Sequence, residues 1–122
     1  MNHEKLLLKA LKAAQEIEES RHHKHVSIVI RKKNIIAIGT NKRHTHPLSV
    51  IYGYRNNEVH SELDALRKIP INLRDDLILV NYRFGPTGNL KLARPCNLCM
   101  PWCREVFEKI YYSTTQGMVR DV

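Results

Sequence analysis

Four residues of the 122-residue sequence carry side chains suited to metal chemistry: His60, Glu62, Cys96 and Cys99. Cysteine binds metals as the thiolate and histidine as the neutral imidazole. The C-x-x-C spacing lets two sulfurs converge on one ion, although redox and structural zinc sites use the same spacing. Two thiolates and one imidazole make three protein ligands, the number found in catalytic zinc sites, where the fourth tetrahedral position is kept for water.

Glu62 lies two residues after His60, so we expect it to reach the metal site without being a ligand. A zinc ion lowers the pKa of a bound water to about 7, and a neighbouring carboxylate can then take and deliver the proton. This combination suits hydrolysis at an electrophilic carbon. The pattern H-x-E followed by P-C-x-x-C is the signature of zinc-dependent nucleobase deaminases.

With His60-Ser61-Glu62 and Pro95-Cys96-Asn97-Leu98-Cys99, the sequence resembles the cytidine and deoxycytidylate deaminase superfamily. The resemblance implies an α/β fold, a three-layer α/β/α arrangement around a mixed central sheet, and one Zn²⁺ per chain. His60, Cys96 and Cys99 would hold the zinc, and Glu62 would shuttle the proton. The runs at 45–48, 60–66 and 92–99 are also similar to small deaminase-like proteins of phages and large viruses.

The resemblance further implies three substrate contacts: Asn41, Ser61 and Arg94. Asn41 follows a predicted strand and resembles the asparagine that contacts the sugar. Arg94 stands where the family uses a backbone carbonyl to contact the base. Free-cytidine deaminases often carry a small residue at that position, so we expect the Arg94 side chain to place a charge at the rim of the pocket.

The patterning predicts a single domain over residues 1–122 with alternating helices and strands. Apolar residues at helical spacing over 3–19 predict a first helix, and β-branched runs predict a buried antiparallel hairpin. Pro70 ends a second helix. The predicted elements are helices at 3–19, about 59–69 and 95–109, strands at 26–30, 35–40, 77–82 and 110–115, a loop at 41–58 and a turn at 85–89.

Two features depart from the expected pattern. Pro101 falls inside the third predicted helix, where it removes the N–H that would bond Asn97 and should bend the axis. The sequence also stops soon after Thr115, which leaves no room for the complete terminal helix and strand of many relatives.

Composition and sequence patterning exclude several classes of protein. A hydrophobic content of 43% with five Gly and five Pro excludes disordered and collagen-like chains. No apolar run approaches the length of about 18 residues needed to span a bilayer, and three cysteines within eight residues do not form a secreted disulfide framework. These features predict a cytoplasmic protein with no membrane partner, in a host cytoplasm if the chain is viral.

The formal charge is +8, and residues 1–43 account for +6 of it. Such a basic segment suits phosphate, either in a nucleotide or along a polynucleotide.

Four functions stay open at this point. The first is zinc-dependent hydrolytic deamination of cytosine to uracil in a free cytidine or deoxycytidine nucleoside or nucleotide. The second is the same reaction on cytosine, or less readily adenine, in single-stranded DNA or RNA. The third is a non-catalytic, zinc-stabilised nucleic-acid-binding module. The fourth is a closed structural zinc site that includes Cys103. The family tendency also favours a homo-oligomer.

Overall fold

A computed structural model describes residues 2–17, 23–41 and 60–120. Most of the loop predicted at 41–58 lies outside these ranges. The helices are α1 (His3–Ala14), α2 (Ser61–Arg67) and α3 (Cys99–Val106), with one 3-10 turn at Ile71–Leu73. The strands are β1 (Lys24–Arg31), β2 (Asn34–Thr40), β3 (Leu77–Phe84), β4 (Leu90–Lys91), β5 (Phe107–Thr114) and β6 (Gly117–Arg120).

The strands form one mixed six-stranded sheet in the order β2-β1-β3-β5-β6, with the short β4 paired to β3. Strand β3 is antiparallel to β1 and parallel to β5. Between β1 and β3, His25 is opposite Arg83 and Ser27 is opposite Asn81. Because alternate residues of a strand face the same side, these two pairs lie on one face of the sheet.

Helices cover both faces of the sheet, as the predicted three-layer α/β/α fold requires. Helix α1 packs Leu6, Ala10 and Ala14 against one face. Helices α2 and α3 pack on the other face, where they bury a second apolar cluster around Leu63 and Trp102. Strand β1 is buried on both sides from residue 26 to residue 30 because it lies between the two clusters. The site residues described below belong to the α2 and α3 layer.

The predicted element types are confirmed, but several bounds are wrong. The first helix ends at Ala14 rather than 19, and the third begins at Cys99 rather than 95. Strand β5 begins at Phe107, three residues earlier than predicted, because Phe107 directly follows α3 in an extended, buried conformation. Leu98 is at helical spacing with the buried Trp102, four residues before it, but is 49% exposed.

The sequence singled out two features of the C-terminal part, Pro101 and the segment after Thr115. Pro101 is the third residue of α3 and so lies in the first turn, where proline is tolerated better than in a helix interior. The backbone N of Met100 donates to the carbonyl of Cys96 at 2.8 Å, so helical hydrogen bonding begins directly before the proline. Residues after Thr115 also do form structure, because β6 pairs antiparallel with β5 from Gly117 to Arg120.

Candidate metal centre and active site

The three predicted zinc ligands converge in the structure. His60 is the residue before α2, and Cys96 and Cys99 lie at the start of α3. Nδ1 of His60 is 3.6 Å from Sγ of Cys96 and 3.4 Å from Sγ of Cys99. All three donor atoms lie within 4.8 Å of one another, and among the described residues they form the one such group of His, Cys, Asp and Glu side chains.

The spacing of these donors fits zinc. With Zn–S bonds of about 2.3 Å and Zn–N bonds of about 2.0–2.1 Å, tetrahedral geometry separates a nitrogen and a sulfur ligand by about 3.6 Å. The two nitrogen–sulfur distances given above agree with that value to within about 0.2 Å. Two thiolates and an imidazole also match the chemical preference of zinc for sulfur and nitrogen. His60, Cys96 and Cys99 can therefore hold one zinc ion.

The start of α3 favours the ionised form of Cys96. A hydrogen bond from the Cys99 thiol is the main cause that lowers the pKa of Cys96, to about 3, against the opposing effect of burial. His60 and the backbone N–H groups of Leu98 and Cys99 lower it further. Unpaired N–H groups at a helix start stabilise a thiolate in this way. A cysteine in this setting is ready to bind a metal.

Cys103 belongs to the core and not to the metal centre. Its side chain is 0% exposed within the cluster between the sheet and helices α2 and α3. Burial raises its pKa strongly, and the nearby charges of Glu62 and Cys96 act in the same direction. A neutral, buried thiol packs as a small apolar residue. The donor group above does not include it, so the four-ligand structural site has no support.

Helix α2 is fixed against the end of β2 by a buried carboxylate. Oδ2 of Asp64 accepts a hydrogen bond from the backbone N of Thr40 at 2.9 Å. The same side chain pairs with Arg67 at 2.6 Å and with Lys68 at 3.2 Å. Since Asp64 is fully buried, these partners compensate its charge. They hold the helix start, and with it His60 and Glu62, at a fixed height above the sheet.

Glu62 is the second residue of α2 and is only 5% exposed. The hydroxyl of Ser61 donates to its Oε1 at 2.9 Å. Behind Ser61, Oγ of Ser27 lies 2.8 Å from Oγ of Ser61 and 2.6 Å from Oδ1 of Asn81. A chain of buried hydrogen bonds therefore runs from the candidate proton shuttle into strands β1 and β3.

The predicted substrate contacts occupy three different settings. The Asn41 side chain is engaged by β1, since its Oδ1 accepts from the backbone N of His25 at 3.0 Å and its Nδ2 donates to the carbonyl of His23 at 3.4 Å. The Ser61 hydroxyl faces the sheet and Glu62. Arg94 is exposed, two residues before Cys96 in the sequence.

Ser27 and Asn81 were missed by the sequence analysis. Each is a polar residue inside an otherwise apolar strand, in VSIVI and LILVNY. Buried polar side chains need hydrogen-bond partners, so these interruptions were a usable signal. His25 was missed as well: it is opposite Arg83 in the sheet, and burial, with Arg83 and His60 next in effect, lowers its pKa to about 4.

A three-ligand zinc site beside a buried carboxylate, placed by helices on one face of a mixed sheet, defines a zinc-dependent hydrolase of the deaminase class. The chain belongs to the cytidine and deoxycytidylate deaminase family: the sequence model of that family's zinc-binding region matches residues 1–114. No curated protein matches the sequence. The family assignment therefore depends on the family-wide pattern and on the fold.

Solved structures that share the fold include a bacterial and a phage deaminase. The cytidine deaminase from Mycobacterium leprae aligns over 98% of this chain and 93% of its own, with a TM-score of 0.67 and 13% identity. The dCMP deaminase from the cyanophage S-TIM5 aligns over 93% of this chain and 86% of its own, with a TM-score of 0.52 and 20% identity.

The described part of the chain contains no helix with the length and apolar character that a membrane span requires.

Proposed function

We propose that the protein deaminates cytosine to uracil in a free cytidine or deoxycytidine nucleoside or nucleotide. The observation that carries this proposal is the placement of buried Glu62 two residues after His60, at the same end of α2 as the three metal donors. A carboxylate there can act on a water at the site without ligating the metal.

In the proposed reaction a water adds to C4 of the ring. Glu62 takes a proton from that water at one carboxylate oxygen and passes it to N3. It then takes the remaining hydroxyl proton of the adduct and delivers it to the amine, the C4–N bond breaks as the C4 carbonyl forms, and cytosine and water become uracil and ammonia. Zinc, when bound, would supply the Lewis acidity that makes water a nucleophile near neutral pH. Ser61 holds Oε1 of Glu62 during these transfers.

Substrate positioning is assigned to Asn41, Ser61 and Arg94. Asn41 is held by the backbone of β1 through its side chain, so it acts by shaping the end of the strand beside the site. Ser61 contributes through its place between His60 and Glu62. The exposed Arg94 side chain supplies a positive charge that suits an anionic nucleotide.

A small substrate is favoured by two observations. Two of the similar structures are, by their names, a cytidine deaminase and a dCMP deaminase. The fold also places parts of the basic N-terminal segment at opposite ends of β1. At one end, the charges of Cys96 and His60 act on the pKa of His25. Lys32 and Lys33 form the turn at the other end. Seven residues of strand separate the two ends by about 23 Å.

The deciding experiment is ammonia release from cytidine, deoxycytidine, their monophosphates, the adenosine counterparts and a cytosine-containing single-stranded oligonucleotide. We expect turnover of at least one free cytidine compound, with a shallow dependence on salt. A polynucleotide substrate would instead give a log–log salt slope of about −0.7 per phosphate contact. Uracil formation in the oligonucleotide alone would replace this proposal by the single-strand reaction.

Lys32→Ala/Lys33→Ala provides a matched control for the salt measurement. Both lysines are exposed, and their placement predicts that their removal leaves kcat/KM for a free cytidine compound unchanged. A loss of oligonucleotide binding with a flatter salt slope in this variant would show that a strand extends to the far end of β1.

A further inference from the structure

Behind the metal-binding face, a row of buried polar side chains joins three elements of the fold. It begins at Oε1 of Glu62 on α2, passes through the hydroxyls of Ser61 and Ser27, and ends at Oδ1 of Asn81 on β3. All four residues are buried, with exposures of 5% or less. We refer to Ser27, Ser61 and Asn81 as the hydroxyl relay.

The far end of the relay is tied to the segment that carries the cysteine ligands. Nδ2 of Asn81 donates to the carbonyl of Ala93 at 3.4 Å, three residues before Cys96. This contact turns the amide nitrogen of Asn81 toward Ala93 and its oxygen toward Ser27. The orientation of Asn81 is therefore set by the loop leading to the metal centre.

From this arrangement we propose that the hydroxyl relay positions the Glu62 carboxylate relative to the metal centre, with Ser27 and Asn81 acting through Ser61. The proposal rests on the proposed function for the role of Glu62. A carboxylate on a side chain with several rotatable bonds needs such a support, because a displacement of about 1 Å at a reacting group can cost about 100-fold in rate.

The relay has fewer hydrogens than contacts. Ser27 has one hydroxyl hydrogen and two acceptors within reach, Ser61 and Asn81. Ser61 has one hydrogen, which Glu62 accepts. Three contacts thus share two hydrogens, so the Ser27 hydrogen is shared between Ser61 and Asn81. The Ser61 hydrogen is directed to Oε1 of Glu62, which the relay holds as an acceptor.

Ser27→Ala tests the relay, and Ser113→Ala is its matched control. Ser113 is an equally buried strand serine with two hydrogen bonds, one to the carbonyl of Lys91 and one from the backbone N of Arg83, but it does not contact Glu62. We expect both variants to bind one zinc per chain and to melt at similar temperatures. We expect kcat to fall about 10- to 100-fold in Ser27→Ala alone, with KM unchanged.

A second measurement does not depend on activity. Crystal structures of the two zinc-loaded variants should show the Glu62 carboxylate displaced or in more than one position in Ser27→Ala, and in its original position in Ser113→Ala. If Ser27→Ala does not fold, Ser61→Ala removes the same link one step nearer to Glu62 and should give the same result.

Three results would overturn the inference: an unchanged kcat in Ser27→Ala, an equal loss of kcat in both serine variants, or an unmoved Glu62 in Ser27→Ala. Failure of the proposed function is recognised separately. In that case the unaltered protein turns over none of the cytidine compounds, while the position of Glu62 in the two crystal structures still decides whether the relay holds it.

Discussion

Gly39 of β2 faces the backbone carbonyl oxygen of Ser61 so closely that a Cβ on Gly39 would lie 2.2 Å from it. The same Cβ would be 2.4 Å from the backbone N of Ala65. Because both neighbours are backbone atoms of α2, neither can move away by a side-chain rotation. The absence of a side chain at Gly39 thus sets how near α2 lies to the sheet, and with it the height of His60 and Glu62.

Gly39→Ala should therefore displace the start of α2. We expect a loss of about 3 kcal/mol or more in the free energy of unfolding, at or beyond the upper end of the range for overpacked sites, together with weaker zinc binding. Urea unfolding and a competition titration with a zinc chelator measure the two effects.

Gly85→Ala is the control for Gly39→Ala. Its new Cβ would meet mainly the ends of flexible side chains, Asn89 and Lys91, which can move away. Stability and zinc affinity close to those of the unaltered protein are expected. If both alanine variants behave alike, the contact between Gly39 and α2 does not set the geometry of the site.

The metal centre should depend on three residues and not on Cys103. Ala at His60, Cys96 or Cys99 removes one of three donors, so we expect less than one zinc per chain after dialysis, as measured by metal analysis. Cys103→Ala should keep one zinc per chain and lose stability by about 1 kcal/mol from the smaller buried side chain. Loss of zinc in Cys103→Ala, with zinc retained in His60→Ala, would contradict the open three-ligand site.

Glu62→Gln separates proton transfer from metal binding. The amide keeps the shape of the side chain and can still accept from Ser61, but it cannot carry a proton between water, N3 and the leaving amine. We expect full zinc content and a fall in kcat of about 10²- to 10⁴-fold, the usual contribution of a positioned acid–base group. Near-normal turnover in this variant would remove Glu62 from the reaction.

The sequence predicted the parts of the site that are local in the chain. H-S-E and P-C-N-L-C each lie within a few residues of a helix start, so residue type and spacing, together with the resemblance to the deaminase signature, indicated His60, Cys96 and Cys99 as candidate ligands. The alternation of apolar runs likewise predicted the hairpin and the central strand. These features depend on neighbours within a few residues, which a sequence displays directly.

The contacts of the hydroxyl relay could not be predicted from the sequence in the same way. Ser27, Ser61 and Asn81 come from three separate elements, and their contacts depend on the register between β1 and β3 and on the height of α2 above them. The sequence showed only two polar residues in apolar strands. Similarly, the third helix was predicted to begin at 95, four residues before α3 begins, so Pro101 was placed in a helix interior instead of in the first turn.

His25 gives the last prediction, which concerns acid stability. Burial, assisted by the positive charge of Arg83, lowers its pKa from 6.5 to about 4. Below about pH 6.5 the unfolded chain therefore binds a proton at His25 that the folded protein does not bind, so the folded state loses stability as the pH falls. Above about pH 7.5 both states are neutral at this residue and its contribution is nil.

Between pH 6.5 and pH 5 this difference amounts to roughly 1–2 kcal/mol of unfolding free energy. His25→Gln, which carries no titrating group, should lose that much less stability over the same interval than the unaltered protein, when both are zinc-loaded and unfolded in urea at each pH. His3→Gln, at the exposed first residue of α1, controls for the simple loss of a histidine and should follow the unaltered protein. Parallel stability curves for His25→Gln and the unaltered protein would show that His25 does not resist protonation in the folded state.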